Sequence, residues 1–382
     1  MTRTLRLAAL SCVLVGLGLG CGRKADAPAK TKDDASTGPT AAPLAMPALG
    51  VDQIKRFNFI YETGAPSHDK AVAAHRKLDW PSVKTHAEAA LAKDPTHLGS
   101  HRLLAAALAQ TGDPAAAVDH LVTAIAADPL QYAPTLADDD LRSFMSSPHG
   151  QSVAALAAKI QEDAGKRIAR GLWLVARRSA FRWPKDLGVQ SSTSRGELYA
   201  FDRETKRFFR LTHTDHQVAG FVRPASGPEL ATLGFDKIDR PKPAEGDDPA
   251  PLLARAWVQI YNTTDWKRTT PRIHLPSARE VTLGYGAGDQ LLVSTAQSTG
   301  RWTTGTPEVE SVDRSTGKRV KVATALPPTR IVVSLDEGVL VRIPDGVTAT
   351  WTGEPAVTST LSAPNGAPIR VAESGAASQA TI

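Results

Sequence analysis

The pattern of apolar residues changes once along this 382-residue chain, near Arg170, and that change limits the folds open to it. Before it, Ala and Leu recur at three- and four-residue spacing, as at Ala117, Leu121 and Ala124, which is the signature of amphipathic helices. After it, short runs of Val, Ile, Thr and aromatic residues alternate with Gly, Pro and Asp. Such a pattern reads as many short strands joined by turns. The expected fold class is multi-domain, α plus β: a helical region over residues 50–168, an all-β region over 169–373 and a flexible tail at 374–382.

The helical region repeats. Ala92-Lys93-Asp94-Pro95 returns 34 residues later as Ala126-Ala127-Asp128-Pro129. At the same offset Val83 aligns with Ala117, Ala87 with Leu121, Ala90 with Ala124 and Leu91 with Ile125. A 34-residue period of paired helices resembles the tetratricopeptide (TPR) repeat. The better copy is 98–131, with Thr111-Gly112-Asp113 as the turn and Pro114 suited to the first turn of the next helix. The copy at 64–97 carries Lys70 and Ala74 where large apolar residues are usual. After Gln131 the pattern breaks at Ala137-Asp138-Asp139-Asp140, and a long amphipathic helix over 153–168 closes the region. The resemblance implies an α-solenoid that binds a partner peptide along the face of its first helices. Here His68, His75, Arg76, Arg102 and Gln110 fall on that face, a basic set suited to an acidic segment or a C-terminal carboxylate. The same residues also suit a merely solvated surface.

The β region contains a recurring unit. Glu197–Asp202, a turn, and Arg210-Leu211-Thr212 are echoed by Val309–Asp313 with Arg314–Lys318, and more loosely by Trp257–Asn262 with Thr263–Lys267. Between them lie Ser226-Gly227-Pro228 and Gly286-Ala287-Gly288-Asp289, each ahead of a strand. These hairpins resemble those of TolB-like β-propellers, which implies about four blades, with a Pro- and Asp-rich insertion at 241–251. A β-sandwich or open stack of sheets is the alternative.

The N-terminus bears on location. Arg3 and Arg6 precede an apolar run, Leu7 to Leu19, too short to span a bilayer and long enough for a signal peptide. Gly20-Cys21 then gives way to polar Gly22-Arg23-Lys24. Residues 1–21 resemble a bacterial lipoprotein signal, with Gly18 standing where an aliphatic residue is usual. The resemblance implies cleavage before Cys21, lipidation of that cysteine, and, since Gly22 is not Asp, an outer-membrane anchor facing the periplasm. An ordinary cleaved secretory signal is the alternative. Residues 22–49, rich in Ala, Pro, Lys, Thr and Asp, read as a flexible tether.

Composition narrows the chemistry. The only cysteines are Cys12 and Cys21, both in the signal, so the mature chain has no disulfide and no thiol nucleophile. A net charge of +6 with interspersed signs suits a solvated surface and no nucleic-acid partner. No Gly-x-Ser-x-Gly elbow or His-Glu-x-x-His helix appears. His213, Asp215 and His216 are metal-ligand types set close together, but read better as a polar loop, and no cofactor is expected. Trp173, Trp183, Trp257, Trp266, Trp302 and Trp351 would suit either a core or stacking on sugars. Arg167, Arg170, Arg177, Arg178, Arg182 and Lys185 cluster at the junction of the two regions. The leading expectation is a cell-envelope lipoprotein, not an enzyme, that binds a protein or peptide partner. A glycan- or peptidoglycan-binding protein and a hydrolase with a site assembled from distant residues are the alternatives.

Overall fold

A computed structural model describes residues 43–57, 63–177, 196–224, 226–239, 252–296, 308–327, 330–334, 338–342, 348–353, 357–362 and 368–370. The signal with Cys21, most of the tether, Trp183, Trp302, Arg178, Arg182, Lys185, the 241–251 insertion and the 374–382 tail lie outside them.

The helical region begins with α1 (Ala65–His75), α2 (Trp80–Lys93), α3 (Leu98–Gln110) and α4 (Pro114–Ala127), and neighbours pack on one another. The starts of α2 and α4 differ by the repeat period, as do their ends. Local chemistry explains the match. Asp79 accepts a hydrogen bond from the Ser82 amide and Asp113 from the Ala116 amide, and a proline follows each cap within two residues. The aligned residues Val83, Ala87 and Ala90 are all buried, as are Ala117, Leu121 and Ala124. Short α5 (Pro129–Tyr132) and α6 (Arg142–Met145) lead to α7 (Pro148–Arg170), capped by Ser147. On α7 Val153, Leu156, Ala157, Ile160, Ala164 and Ile168 form the buried stripe.

The strands are antiparallel throughout. The first sheet holds β1 (Leu172–Arg177), β2 (Gly196–Asp202), β3 (Arg207–Arg210), β4 (Val218–Val222), β5 (Glu229–Asp239), β6 (Leu252–Asn262) and β7 (Ile273–His274), in the order β1-β2-β4-β5-β6-β7, with β3 also on β2. The second holds β8 (Glu280–Tyr285), β9 (Leu291–Ala296), β10 (Val309–Val312), β11 (Arg319–Val322), β12 (Arg330–Ser334), β13 (Gly338–Arg342) and a strand at Pro368–Arg370, in the order β11-β10-β9-β8-β12-β13 and then that last strand. Thr348–Gly353 and Val357–Ser362 pair as a separate hairpin.

Alternation along the strands builds two cores. On β5 and β6, Leu230, Trp257 and Tyr261 join the cluster that also contains the helices. Ala231, Leu233, Phe235, Ala256, Val258 and Ile260 point the other way. They meet Val281, Leu283, Leu291, Val293, Ile331 and Val333 of the second sheet. Cover on both faces is why β2 and β4 are buried along their whole lengths. Helices and first sheet thus share one core, and residues 41–382 form one compact unit.

The propeller expectation needs correction. Among the described residues the strands form two large sheets with a common core, and no closed barrel or propeller appears. The hairpins themselves do form at Asp202, Asn262 and Asp313, whose side chains accept bonds from the amides two residues on. They pair edge to edge instead of closing into blades. β5 and β6 run eleven residues each and pair from Glu229↔Asn262 to Asp239↔Leu252, so the 241–251 insertion connects one long hairpin.

The tether assignment also shifts at its end. Leu49 is buried, and Val51 exchanges two backbone hydrogen bonds with Phe208 at 3.0 and 2.8 Å. Gly50 stands between them with φ of 70°, and a Cβ there would lie 2.5 Å from the Phe208 carbonyl oxygen. A second glycine has a packing role. The Trp257 ring lies on Gly234, where a Cβ would fall 2.3 Å from Cζ2. Gly234→Ala should therefore destabilise the chain by about 1–3 kcal/mol, read as a lower urea midpoint at unchanged m-value.

Candidate functional site

Arg102 and His75 of the helical face are already engaged within the chain. Arg102, only 8 % exposed, donates through Nη1 and Nη2 to Asp140 at 3.1 and 2.7 Å, through Nη2 to Asp138 at 2.8 Å and through Nε to Thr135 at 3.0 Å. His75 Nε2 meets the same Asp140 carboxylate at 2.9 Å, and Gln110 donates to the Asp140 carbonyl at 2.7 Å. Burial pushes the Asp140 carboxyl up, but Arg102 and His75 bring it below the usual carboxylate range. The acidic break in the repeat pattern thus fills the place expected for an acidic ligand. Buried Leu141 and Phe144 on one side, and Tyr132 and Ala133 on the other, anchor that segment. Of the expected set Arg76 and Gln110 are exposed, and neither lines the pocket that holds His68 and Arg102.

His68 and Arg102 do line a pocket of about 470 Å³, together with His97, Arg210, His213 and His216. Its far wall is the loop after β3, organised by one carboxylate. Glu197, wholly buried on β2, accepts from Arg210 Nη2 (2.9 Å), Thr212 Oγ1 (2.5 Å), Thr214 Oγ1 (2.9 Å) and the amides of Thr214 (2.7 Å) and His216 (2.9 Å). Burial raises the Glu197 pKa, but Arg210 and these donors outweigh it and hold it low. The loop so gripped carries two consecutive non-glycine residues in the left-handed region, Asp215 at φ 60° and His216 at φ 58°. Such backbone persists where surrounding contacts over-determine it, a pattern that concentrates at functional sites.

The same loop is tied to the helices. His213 Nε2 lies 2.9 Å from Asp128 Oδ2, and Asp128, fully buried, also caps α5 through the Gln131 amide. On the helical wall His68 Nδ1 bonds Ser100 Oγ at 3.0 Å, and its ring stands 4.3 Å from that of His97. Burial, then the nearby His97, lowers the His68 pKa to about 4, and burial lowers that of His97.

An unfolded imidazole titrates near 6.5. Between that value and about 4 the unfolded chain binds a proton at His68 that the folded chain does not. Stability should therefore fall as pH drops through this window. Urea midpoints at pH 7 and pH 5 check this, and His68→Asn should flatten the dependence.

Three cations at the pocket are paired: Arg102 with Asp138 and Asp140, Arg210 with Glu197, His213 with Asp128. Beside these pairs the walls present the His68 imidazole, held through Nδ1 by Ser100, the Asp215 carboxylate and apolar Val72 and Leu103. That suits a hydrogen-bonding peptide segment better than the acidic one expected from sequence. His213, Asp215 and His216 do not converge on one point, because the loop wraps the Glu197 carboxylate. Among the described residues no group of three His, Cys, Asp or Glu side chains is placed to hold a metal ion.

Three of the candidate tryptophans belong to the interior. Trp173, Trp257 and Trp266 are each less than 10 % exposed. Trp173 packs edge-on against Trp266, and Arg223 and Arg272 cover the faces of Trp173 and Trp257. They leave no face for a sugar; the Trp351 side chain lies outside the described residues. In the junction cluster Arg167 pairs with Asp163, and Arg170 with Asp202 and Glu204. The Arg177 side chain too lies outside the described residues.

Sequence reasoning passed over Glu197, Arg210, Asp128 and His97. One signal was present: Glu197 and Arg210 are charges inside strand patterns that are otherwise buried. No family model, no curated protein and no solved structure matches the chain. No helix of the described residues is long and apolar enough to cross a membrane.

Proposed function

We propose that this chain is a lipid-anchored protein of the bacterial cell envelope that holds a segment of a partner protein in the pocket between its helical repeat and the Glu197-bound loop. The observation that carries the reading is that loop: two left-handed residues, locked by a buried carboxylate, in the wall of a pocket lined by histidines. The lipoprotein-like signal ending at Cys21 supports the anchor, and the 34-residue spacing of helices supports a TPR-like module. The pocket opens on α1 and α3, the helices that would line the groove of such a module. The β sheets act as a frame that closes one side of the groove, so that a chain end or short loop enters instead of a peptide running through.

Two measurements test this. Intact mass of the membrane-extracted protein should begin at Cys21 with acyl chains added; a mass without lipid removes the anchor. Partner capture from envelope extracts should be lost with His213→Ala and kept with Arg76→Ala; equal capture by both removes the pocket.

The Asp128–His213 pair favours one second reading. A buried carboxylate orienting an imidazole is the support a general base needs. The described lining contains no serine, threonine or cysteine, so the attacking species would be water. Turnover of an ester or amide library by the wild type, abolished by Asp128→Asn, would favour it.

A further inference from the structure

The turn between α1 and α2 carries a side chain that folding does not require. Both helix pairs close their first helix in the same way. The Asp79 amide donates to the Ala74 carbonyl at 3.1 Å, and the Asp113 amide to the Leu108 carbonyl at 2.9 Å, one repeat period further on. This closure puts the residue before each aspartate in the left-handed region, where glycine is favoured. The second copy has Gly112 there, at φ 91°. The first has Leu78, at φ 57°. A Cβ on Gly112 would meet nothing within 4 Å, so a side chain at this place projects off the protein. Leu78 does so, at 66 % exposed. It bears an unfavourable backbone and gains little burial, and an outlier of that kind points to function.

The residues around the turn differ between the copies as well. Arg76, Lys77, Trp80 and Lys84 stand where the second copy has Gln110, Thr111, Pro114 and Val118. Arg76 and Lys77 are exposed, Lys84 is half-buried, and none of the three forms an ion pair among the described residues. Trp80, half-buried, stands edge-on to His75 with ring centroids 5.4 Å apart. Negative charge nearby is engaged. Asp79 accepts from the Ser82 amide at the start of α2, and Asp140, which meets His75, is held by Arg102.

We propose that the α1–α2 turn is a membrane-contact tip: Leu78 enters the headgroup region of an anionic bilayer while Arg76, Lys77 and Lys84 face its phosphates. This role depends on the proposed envelope location, which brings the chain to a bilayer. The chemistry of the turn fits that boundary. An aliphatic side chain settles among the acyl chains, a tryptophan sits at headgroup level, and lysine and arginine are drawn to anionic lipid. Shape argues in the same direction. A stable protein interface takes about 800 Å² from each partner, and one leucine on a protruding turn offers far less. A bilayer surrounds a protruding side chain on every side. Such a contact is weak alone. Stable anchoring needs two signals, and the turn supplies the second beside the acyl chains on Cys21. It also fixes which part of the helical region faces the lipid.

The experiment uses the full chain as purified from cells, with an aliphatic diazirine residue at position 78. The control carries it at position 115, exposed in the matching turn of the second copy. The probe is a vesicle of phosphatidylethanolamine and phosphatidylglycerol. Irradiation should attach phospholipid to position 78 at least about fivefold more than to position 115. The excess should collapse when phosphatidylcholine replaces phosphatidylglycerol, and shrink at high salt. Leu78→Gly should raise the urea midpoint, because glycine accepts the left-handed backbone. Equal phospholipid attachment at the two positions overturns the proposal. So does a discrete protein adduct at position 78 in place of lipid, or a urea midpoint lowered in Leu78→Gly. Acylated protein without lipid adducts at 78 removes the tip and keeps the anchor. Lipid adducts at 78 on a chain without acyl groups keep the tip and remove the anchor.

Discussion

Glu197→Ala should lower folding stability by about 3–5 kcal/mol, because it removes one partner of a buried ion pair and leaves the other charged. Arg210 is only 6 % exposed and, among the described residues, keeps one other bond, from Nε to the Thr212 carbonyl at 2.9 Å. The amides of Thr214 and His216 lose their acceptor as well, and a buried amide without a partner adds to the loss. Urea unfolding followed by tryptophan fluorescence reads the change. Glu197→Gln keeps one accepting oxygen and should lose clearly less. Any binding in the pocket should go with the loop, since Asp215 and His216 would relax out of their left-handed backbone. A Glu197→Ala protein as stable as wild type would mean that the loop is not held in this way.

Arg102 and Asp140 set a second large effect. Each single alanine substitution should cost about 3–5 kcal/mol, since each strands a mostly buried charge. The double variant should cost less than the sum by about 1–3 kcal/mol, the coupling of residues in direct contact. Arg102 is the centre of the basic face expected to receive an acidic ligand, and the two interpretations differ in outcome. A free ligand-binding arginine would leave stability almost untouched when removed. An arginine bound to Asp138, Asp140 and Thr135 within its own chain would not.

How much was legible in the sequence differs from element to element. The four repeat helices were legible because much of their information is local: Asp79 and Asp113 cap the second and fourth, proline follows each cap within two residues, and alanines recur on the inner face. The closing helix was legible in its apolar stripe, though it runs from Pro148 to Arg170, longer than 153–168, because Ser147 caps it earlier. Hairpins announced themselves through the Asp and Asn residues that fold back on their own backbones. The assembly of hairpins into sheets was not legible. β8 pairs with β12 across an intervening excursion of β9 to β11, and nothing in a local pattern sets that choice. The candidate site was half legible. His68, Arg102, His213 and His216 were singled out, but as two unrelated sets, and only the fold brings them to one pocket. The partners that define their chemistry were hidden in plain roles: Asp128 as a helix cap, Glu197 as the start of a strand and Asp138 to Asp140 as a gap in a repeat.

The central claim is that the pocket between helices and loop receives part of another protein. The most direct measurement places a small aliphatic diazirine residue at position 72, where Val72 is half-buried in the pocket wall, and irradiates intact cells. A control places the same residue at Leu78, which is 66 % exposed and outside the pocket. The account predicts a discrete crosslinked protein from position 72, absent from position 78 and lost in the Glu197→Ala background. No adduct from position 72, or the same adducts from both positions, would contradict it.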